Sequence, residues 1–143
     1  MSNPIGFLPL LQAPGARPMF GTLAISASGL SAQRFRMDVI ASNVANSETT
    51  HTADGGPYRR RTVEMQAAPG GGVNITGVAE DAADGPIVYD PSHPDANADG
   101  YVRYPNVSVT DEMVGLMDSH RMYEANATVF QATKSMLKAA IDI

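Results

Sequence analysis

The sequence predicts an α+β fold: one long helix at each end of the chain, paired as a coiled-coil-like hairpin, with a small, mostly extended β-rich segment between them. Three observations predict it. The last third of the chain carries apolar residues at alternating spacings of three and four, and a matching ladder runs near the start. The residues between the ladders hold most of the glycines and prolines, with short alternating runs in place of a helical period.

Taken in order, residues 1–19 carry Pro4, Pro9, Pro14 and Pro18 with Gly6 and Gly15, a composition that predicts a flexible leader. Its patch Phe7, Leu8, Leu10 and Leu11 is short and broken by Pro9, and no basic stretch precedes it, so it does not read as a cleaved signal peptide. The first helix is expected over residues 20–47, with the ladder Leu23, Ala27, Leu30, Arg34, Met37, Ala41 and Val44. Leu23, Leu30, Met37 and Val44 fall every seven residues. Gly29 costs this helix about 1 kcal/mol of intrinsic propensity, so alone it is marginal. Asn43 and Asn46 lie at its end, where Asn tolerates the left-handed conformation that terminates helices.

Residues 48–109 form the middle segment. Strands are expected at Tyr58–Gln66, Val73–Ala79, Ile87–Tyr89 and Tyr101–Val109, joined by turns such as Ala68-Pro-Gly-Gly-Gly72. The second helix is expected over residues 110–143, capped by Thr110 or Asp111. Asp111 and Glu112 complement its dipole at one end, Lys134 and Lys138 at the other. Its ladder is Met113, Leu116, His120, Tyr123, Ala127, Phe130, Lys134, Leu137 and Ile141. A second stripe, Gly115, Met122, Val129, Met136 and Ile143, repeats every seven residues on another side. Helices docked on one core need an apolar face of ~100°, whereas these positions cover about half the circumference. The surplus predicts contacts with neighbouring molecules as well as with the first helix.

Composition excludes several functions. Zero cysteines remove disulfides, thiol catalysis and Cys-ligated zinc. A net charge of −5 argues against nucleic-acid binding through backbone charge. No apolar run is long enough to cross a membrane. His51, His93 and His120 lack metal-ligand spacing, and no Gly-x-Ser-x-Gly elbow or phosphate-binding Gly-rich loop occurs. Arg59-Arg60-Arg61 reads as a solvated strand edge or a contact to an acidic neighbour.

One segment imitates a ligand site. Asp95-Ala-Asn97-Ala-Asp99-Gly100 matches the opening of an EF-hand calcium loop. The twelfth position, where a bidentate Glu belongs, is Asn106, and prolines leave no room for an entering helix. A calcium-binding module is therefore the alternative function, and a polar turn with Asx hydrogen bonds explains the same residues.

The run from Ser26-Ala-Ser-Gly-Leu-Ser-Ala-Gln-Arg-Phe to Ala41-Ser-Asn-Val-Ala-Asn46 resembles the N-terminal signature of bacterial flagellar rod and hook proteins, the axial family. Two further segments resemble a rod branch of it: Tyr89-Asp-Pro-Ser-His-Pro-Asp95 through Tyr104-Pro-Asn-Val107, and Glu112-Met-Val through Arg121-Met-Tyr-Glu-Ala-Asn126 to Lys134-Ser-Met136. The resemblance covers most of residues 21–143, and the Pro-rich leader departs from it.

The resemblance implies a non-enzymatic structural subunit of the proximal rod, in the basal body where it crosses the periplasm. It implies export through the flagellar type III apparatus without a cleaved signal, and partners that are other rod subunits and further copies of the chain. It implies no cofactor, nucleic acid or membrane insertion. Terminal helices pack as the inner layer of a tube, and the middle segment faces outward. The expected packing residues are Leu23, Leu30, Met37 and Val44 in the first helix, with Met113, Leu116, Tyr123, Phe130, Leu137 and Ile141 in the second. Met122, Val129 and Met136 of the second stripe are expected to pack as well, with neighbouring subunits giving the extra stripe a role and which stripe meets the first helix left open. Asn43, Asn46 and Asn126 are expected to hydrogen-bond between helices or cap one.

Overall fold

The computed structural model describes residues 16–142. The patch Phe7–Leu11 and Ile143 lie outside the described residues. Helix α1 spans Ala16–Ala45 and helix α2 spans Val109–Ile141, lengths of roughly 45 and 50 Å at 1.5 Å per residue. They run antiparallel, with Gly29 beside Asn126, Ile40 beside Gly115 and Asn43 bonded to Glu112. Between them lie two antiparallel hairpins, β1 (Arg61–Ala67) with β2 (Val73–Glu80) and β3 (Ile87–Tyr89) with β4 (Tyr101–Arg103). The result is the expected α+β arrangement of paired terminal helices around a small strand region.

Boundaries differ from expectation at both helices. Helix α1 starts at Ala16, inside the stretch read as leader. Pro18 lies within the helix, near the N-terminal limit of the described residues. The N-cap of α2 is Ser108, whose Oγ accepts from the Asp111 N–H, in place of Thr110 or Asp111. At the far end of α1 no residue takes the left-handed turn; among the described residues only glycines have positive φ. Asn46 instead folds its side-chain amide onto the Ser42 carbonyl at 2.8 Å, and Thr49 donates to its oxygen at 3.2 Å. The last strand is shorter than expected, because Pro105 interrupts the approach to α2.

The β1–β2 hairpin lies along α1 and is pinned at both ends. At its base, the Arg61 backbone bonds to the Asn43 side chain. At its tip, Ser28 Oγ accepts from the Val73 N–H at 3.1 Å. The lengths agree: the seven residues of β1 extend ~23 Å, and the helix from Ser28 to Asn43 rises ~22 Å. Gly72 is required at this tip, since its φ is +94° and an added Cβ would lie 2.6 Å from Ser28 Oγ.

Among the described residues the buried apolar set is Ala32, Ile40, Tyr58 and Val102, and the buried polar set is Ser26, Asn43, Glu112, Ser119 and Thr133. So little apolar burial is unusual for a chain this long.

Candidate assembly surface

The contact between α1 and α2 uses one half of each expected ladder and replaces the other. Leu23, Leu30, Met37 and Val44 on α1, and Leu116, Tyr123, Phe130 and Leu137 on α2, are half-buried along the seam. Their companions are displaced by one residue. On α1 the inner positions are Ser26, Gln33 and Ile40, while Ala27, Arg34 and Ala41 are exposed. On α2 they are Glu112, Ser119, Asn126 and Thr133, while Met113, His120, Lys134 and Ile141 point to solvent. Ala127 stays half-buried at the rim. Met113 and Ile141 are thus exposed in the single chain, outside its own α1–α2 contact.

The reason is the size and self-satisfaction of the polar row. Ser119 Oγ donates to the Gly115 carbonyl at 2.9 Å and Thr133 Oγ1 to the Val129 carbonyl at 2.9 Å. Asn126 Nδ2 donates to the Met122 carbonyl at 3.0 Å. Hydroxyls and amides satisfied within their own turn are inexpensive to bury, and they let the helix axes approach. The approach is closest where Asn126 faces Gly29: an added Cβ at Gly29 would lie 2.8 Å from Asn126 Nδ2.

At the hairpin's connected end sits a polar hub that joins three elements. Asn43 is fully buried. Its Nδ2 donates to the Arg61 carbonyl at 2.8 Å and to Glu112 Oε2 at 3.0 Å. Its Oδ1 accepts from the Tyr58 hydroxyl and the Arg61 N–H, both at 2.9 Å. All the hydrogen-bonding capacity of one amide is thus used. Glu112, only 2% exposed, is paired through Oε1 with Arg60 Nε. The Arg61 guanidinium lies 5.5 Å from the centre of the Tyr58 ring. Of the two readings of the arginine run, contact with acidic neighbours describes all three, Arg59 with Asp84, Arg60 with Glu112 and Arg61 with Glu80, while Arg59 and Arg61 stay exposed.

Above the hub a cleft of about 400 Å³ is lined by Arg36, Arg60, Arg61, Asp111 and Glu112. Two carboxyls titrate low. Arg103 and then Arg59 hold Asp84 below the usual carboxylate range, and a hydrogen bond from Ser92 does so for Asp90. Asp84 is exposed and Asp90 half-buried, and they serve ion-pair and turn geometry respectively.

The calcium-like loop is the turn between β3 and β4. Asn97 Oδ1 accepts from the Asp99 and Tyr101 N–H groups at 3.0 and 2.9 Å, and Asp95 Oδ2 accepts from Thr50 Oγ1 at 2.6 Å. Asn97 is thus committed to an Asx turn and Asp95 to a tether to residue 50, a polar-turn role for two of the three calcium-like side chains.

The outer side of α2 presents what the seam omits. Met122 is 50% exposed, Val129 45% and Met136 63%, and Met113, Val114, Met117 and Ile141 are exposed on other faces of the helix. A monomer rarely leaves so extended an apolar strip uncovered.

Comparison with known proteins agrees with this layout. A family model described as "Flagella basal body rod protein" matches residues 23–50, and one described as "Flagellar basal body rod FlgEFG protein C-terminal" matches residues 98–143. The FlgC basal-body rod protein of Bacillus subtilis is 44% identical over 145 residues, covering 87% of this chain and 97% of the relative. The chain belongs to the FlgC family of flagellar basal-body rod proteins. The FlgC proteins of Borreliella burgdorferi (36% identity, 87% of this chain and 97% of the relative) and Salmonella typhimurium (46%, 79% and 88%) are similar to it as well. The two matched ranges contain both partners of the Gly29–Asn126 and Asn43–Glu112 contacts. Membership of the FlgC family makes the chain a structural protein of the basal-body rod and gives the calcium reading no support.

Glu112, Ser119, Thr133 and Arg60 went unmarked as packing residues in the sequence. A signal existed for two of them: Ser119, Asn126 and Thr133 recur every seven residues without a charge among them. Nothing local marks the Glu112–Arg60 pair.

Proposed function

We propose that the α1–α2 hairpin is the inner, load-bearing layer of the basal-body rod, and that the outer stripe of α2 packs on neighbouring subunits and copies of this chain. One observation carries the reading: the row of α2 buried within the chain is small and polar, while Met122, Val129 and Met136 are left exposed. A helix that leaves a further apolar row exposed beside its seam is completed by another molecule. Leu23, Leu30, Met37 and Val44 with Leu116, Tyr123, Phe130 and Leu137 hold the hairpin closed, and torque passes through their packing. Asn43 ties α1 to α2 and the middle segment, Asn46 ends α1, and Asn126 sets the register against Gly29.

The role is mechanical, without catalysis or cofactor. As part of the rod the chain lies in the periplasmic space, reached through the flagellar type III apparatus without a cleaved signal. No helix among the described residues is long and apolar enough to cross a membrane. The small apolar core supports passage as an unfolded chain, because little stability opposes unfolding.

The test is Val129→Asp. Val129 is exposed, so the substitution leaves the chain's own fold intact and is expected to abolish rod incorporation and motility. A motile Val129→Asp strain with normal rods would overturn the proposal.

A further inference from the structure

Along β1, successive residues turn their backbone N–H and C=O groups to opposite sides of the strand. The residues that flank it show which side is which. The Arg60 carbonyl accepts from the Asp81 N–H, and the Ala68 N–H donates to the Gly72 carbonyl, so the even-numbered residues bond across to β2. The odd-numbered ones face away, as Arg61 does: both of its backbone groups are taken by the Asn43 amide. Glu64 pairs with Gly77 and Met65 with Ile75, which puts the extra residue, Thr76, in β2 and leaves the alternation along β1 unbroken. Val63, Met65 and Ala67 therefore present their N–H and C=O groups on the outer edge. None of these groups finds another hydrogen-bond partner among the described residues.

The space beside this edge is shaped for a chain. β1 meets α1 at Asn43, whereas at the other end of the hairpin β2 meets it, through Val73 and Ser28. The hairpin thus crosses α1 obliquely, and the outer edge of β1 borders the cleft of about 400 Å³ that reaches α2. Val63 and Met65 line one side of that cleft, Val39 and Ile40 of α1 its floor, and Asp111 and Gly115 of α2 the far side. Its volume is in the range that takes a ligand of several side chains. Sheets commonly protect an open edge with proline, lysine or a bulge. β1 has none of these, while the bulge and the Ser28 pin both lie on β2.

We propose that the outer edge of β1 receives an extended segment of a different rod subunit, which lies in this cleft as a third strand of the sheet. This rests on the assembly reading above and names one of its contacts. A second copy of the chain is not the occupant. β1 against β1 closes a two-fold dimer, which does not extend into a rod. The edge of β2 is bulged and pinned to α1, and β3 and β4 are three residues each and already paired. Recognition runs through backbone groups, and it fixes the partner's extended conformation first. Alternate side chains of the added strand enter the cleft, where Val39, Ile40, Val63 and Met65 favour apolar ones.

Hydrogen exchange at the Val63, Met65 and Ala67 amides reads the edge directly, in the isolated chain and in isolated basal bodies. Exchange is expected to slow by about tenfold or more on assembly at all three. A helix or loop seated in the cleft leaves these amides exchanging as before, and that result would overturn the proposal. Met65→Pro removes one outward N–H and leaves the bonds to β2 in place. The isolated variant should keep its circular dichroism spectrum, while its incorporation into rods falls about tenfold. Met65→Ala keeps the N–H and should incorporate normally. Normal incorporation of Met65→Pro, or an equal loss in both variants, would overturn the proposal; where Met65→Pro does not fold, the exchange measurement decides. The chain has no cysteine, so Glu64→Cys reports self-pairing cleanly. A disulfide between two Glu64→Cys copies in basal bodies would show β1 on β1 and overturn the choice of partner. Normal rods from Val129→Asp would overturn the assembly reading itself. Unprotected amides alongside a Val129→Asp chain that fails to incorporate would overturn this contact alone.

Discussion

Alanine at Gly29 and alanine at Gly115 are expected to change stability in opposite directions, although both replace a glycine inside a helix. Removing a helical glycine's excess backbone freedom stabilises by about 1 kcal/mol at either site. At Gly115 nothing offsets this, because the new Cβ would lie 3.6 Å from Ile40 Cδ1, an ordinary contact. At Gly29 the new Cβ would lie 2.8–2.9 Å from three atoms of the Asn126 amide. Asn126 must then give up its bond to the Met122 carbonyl, about 1 kcal/mol, and the seam must open, about 1–3 kcal/mol for an overpacked contact. The balance is a net loss of about 1–3 kcal/mol for Gly29→Ala against a gain of about 1 for Gly115→Ala. Urea unfolding followed by circular dichroism measures both, with a stabilising osmolyte added to give a full folded baseline. The double variant Gly29→Ala, Asn126→Ala should recover most of the loss, giving a coupling of about 1–2 kcal/mol. A stabilised Gly29→Ala chain, or additivity with Asn126→Ala, would refute the seam described here.

Asn43→Asp should destabilise by about 2–4 kcal/mol, since it swaps a donor to Glu112 for a second buried carboxylate; the shift in urea midpoint measures it. Asn43→Ser, which keeps a polar atom without the charge, should cost less. For Asp84, Arg103 and then Arg59 depress the folded-state pKa, so its contribution to folding is present above the ordinary carboxylate value and is lost as pH falls through the depressed one. Carboxyl NMR titration should show Asp84 ionised below the ordinary range, and Arg103→Gln should move it back up.

How far the sequence reveals this molecule depends on which physical signal each part leaves. Paired terminal helices are legible because Leu23, Leu30, Met37 and Val44 and Leu116, Tyr123, Phe130 and Leu137 keep a strict seven-residue period. The companion rows are not, because a ladder drawn through apolar residues passes over Ser119 and Thr133, whose hydroxyls are satisfied within their own helix. That α1 extends back over Pro18 is obscured in the sequence, because Pro disfavours helix at most positions. The hub is the least legible. Asn43, Tyr58, Arg60 and Glu112 come from segments far apart in the chain, and only the three-dimensional arrangement shows one amide bonded on four sides. The outer stripe is the converse: its period is visible at once, while its exposure is not.

The central claim is that α2 presents two functionally different rows, an inner polar row for its own α1 and an outer apolar row for neighbours. Single cysteines distinguish them directly in isolated basal bodies, at Met122 and Met136 on the outer row and at Ser119 and Thr133 on the inner one. Oxidation should link chains through positions 122 and 136 and leave positions 119 and 133 unlinked between chains. Links through the inner positions at yields matching the outer ones would contradict the account.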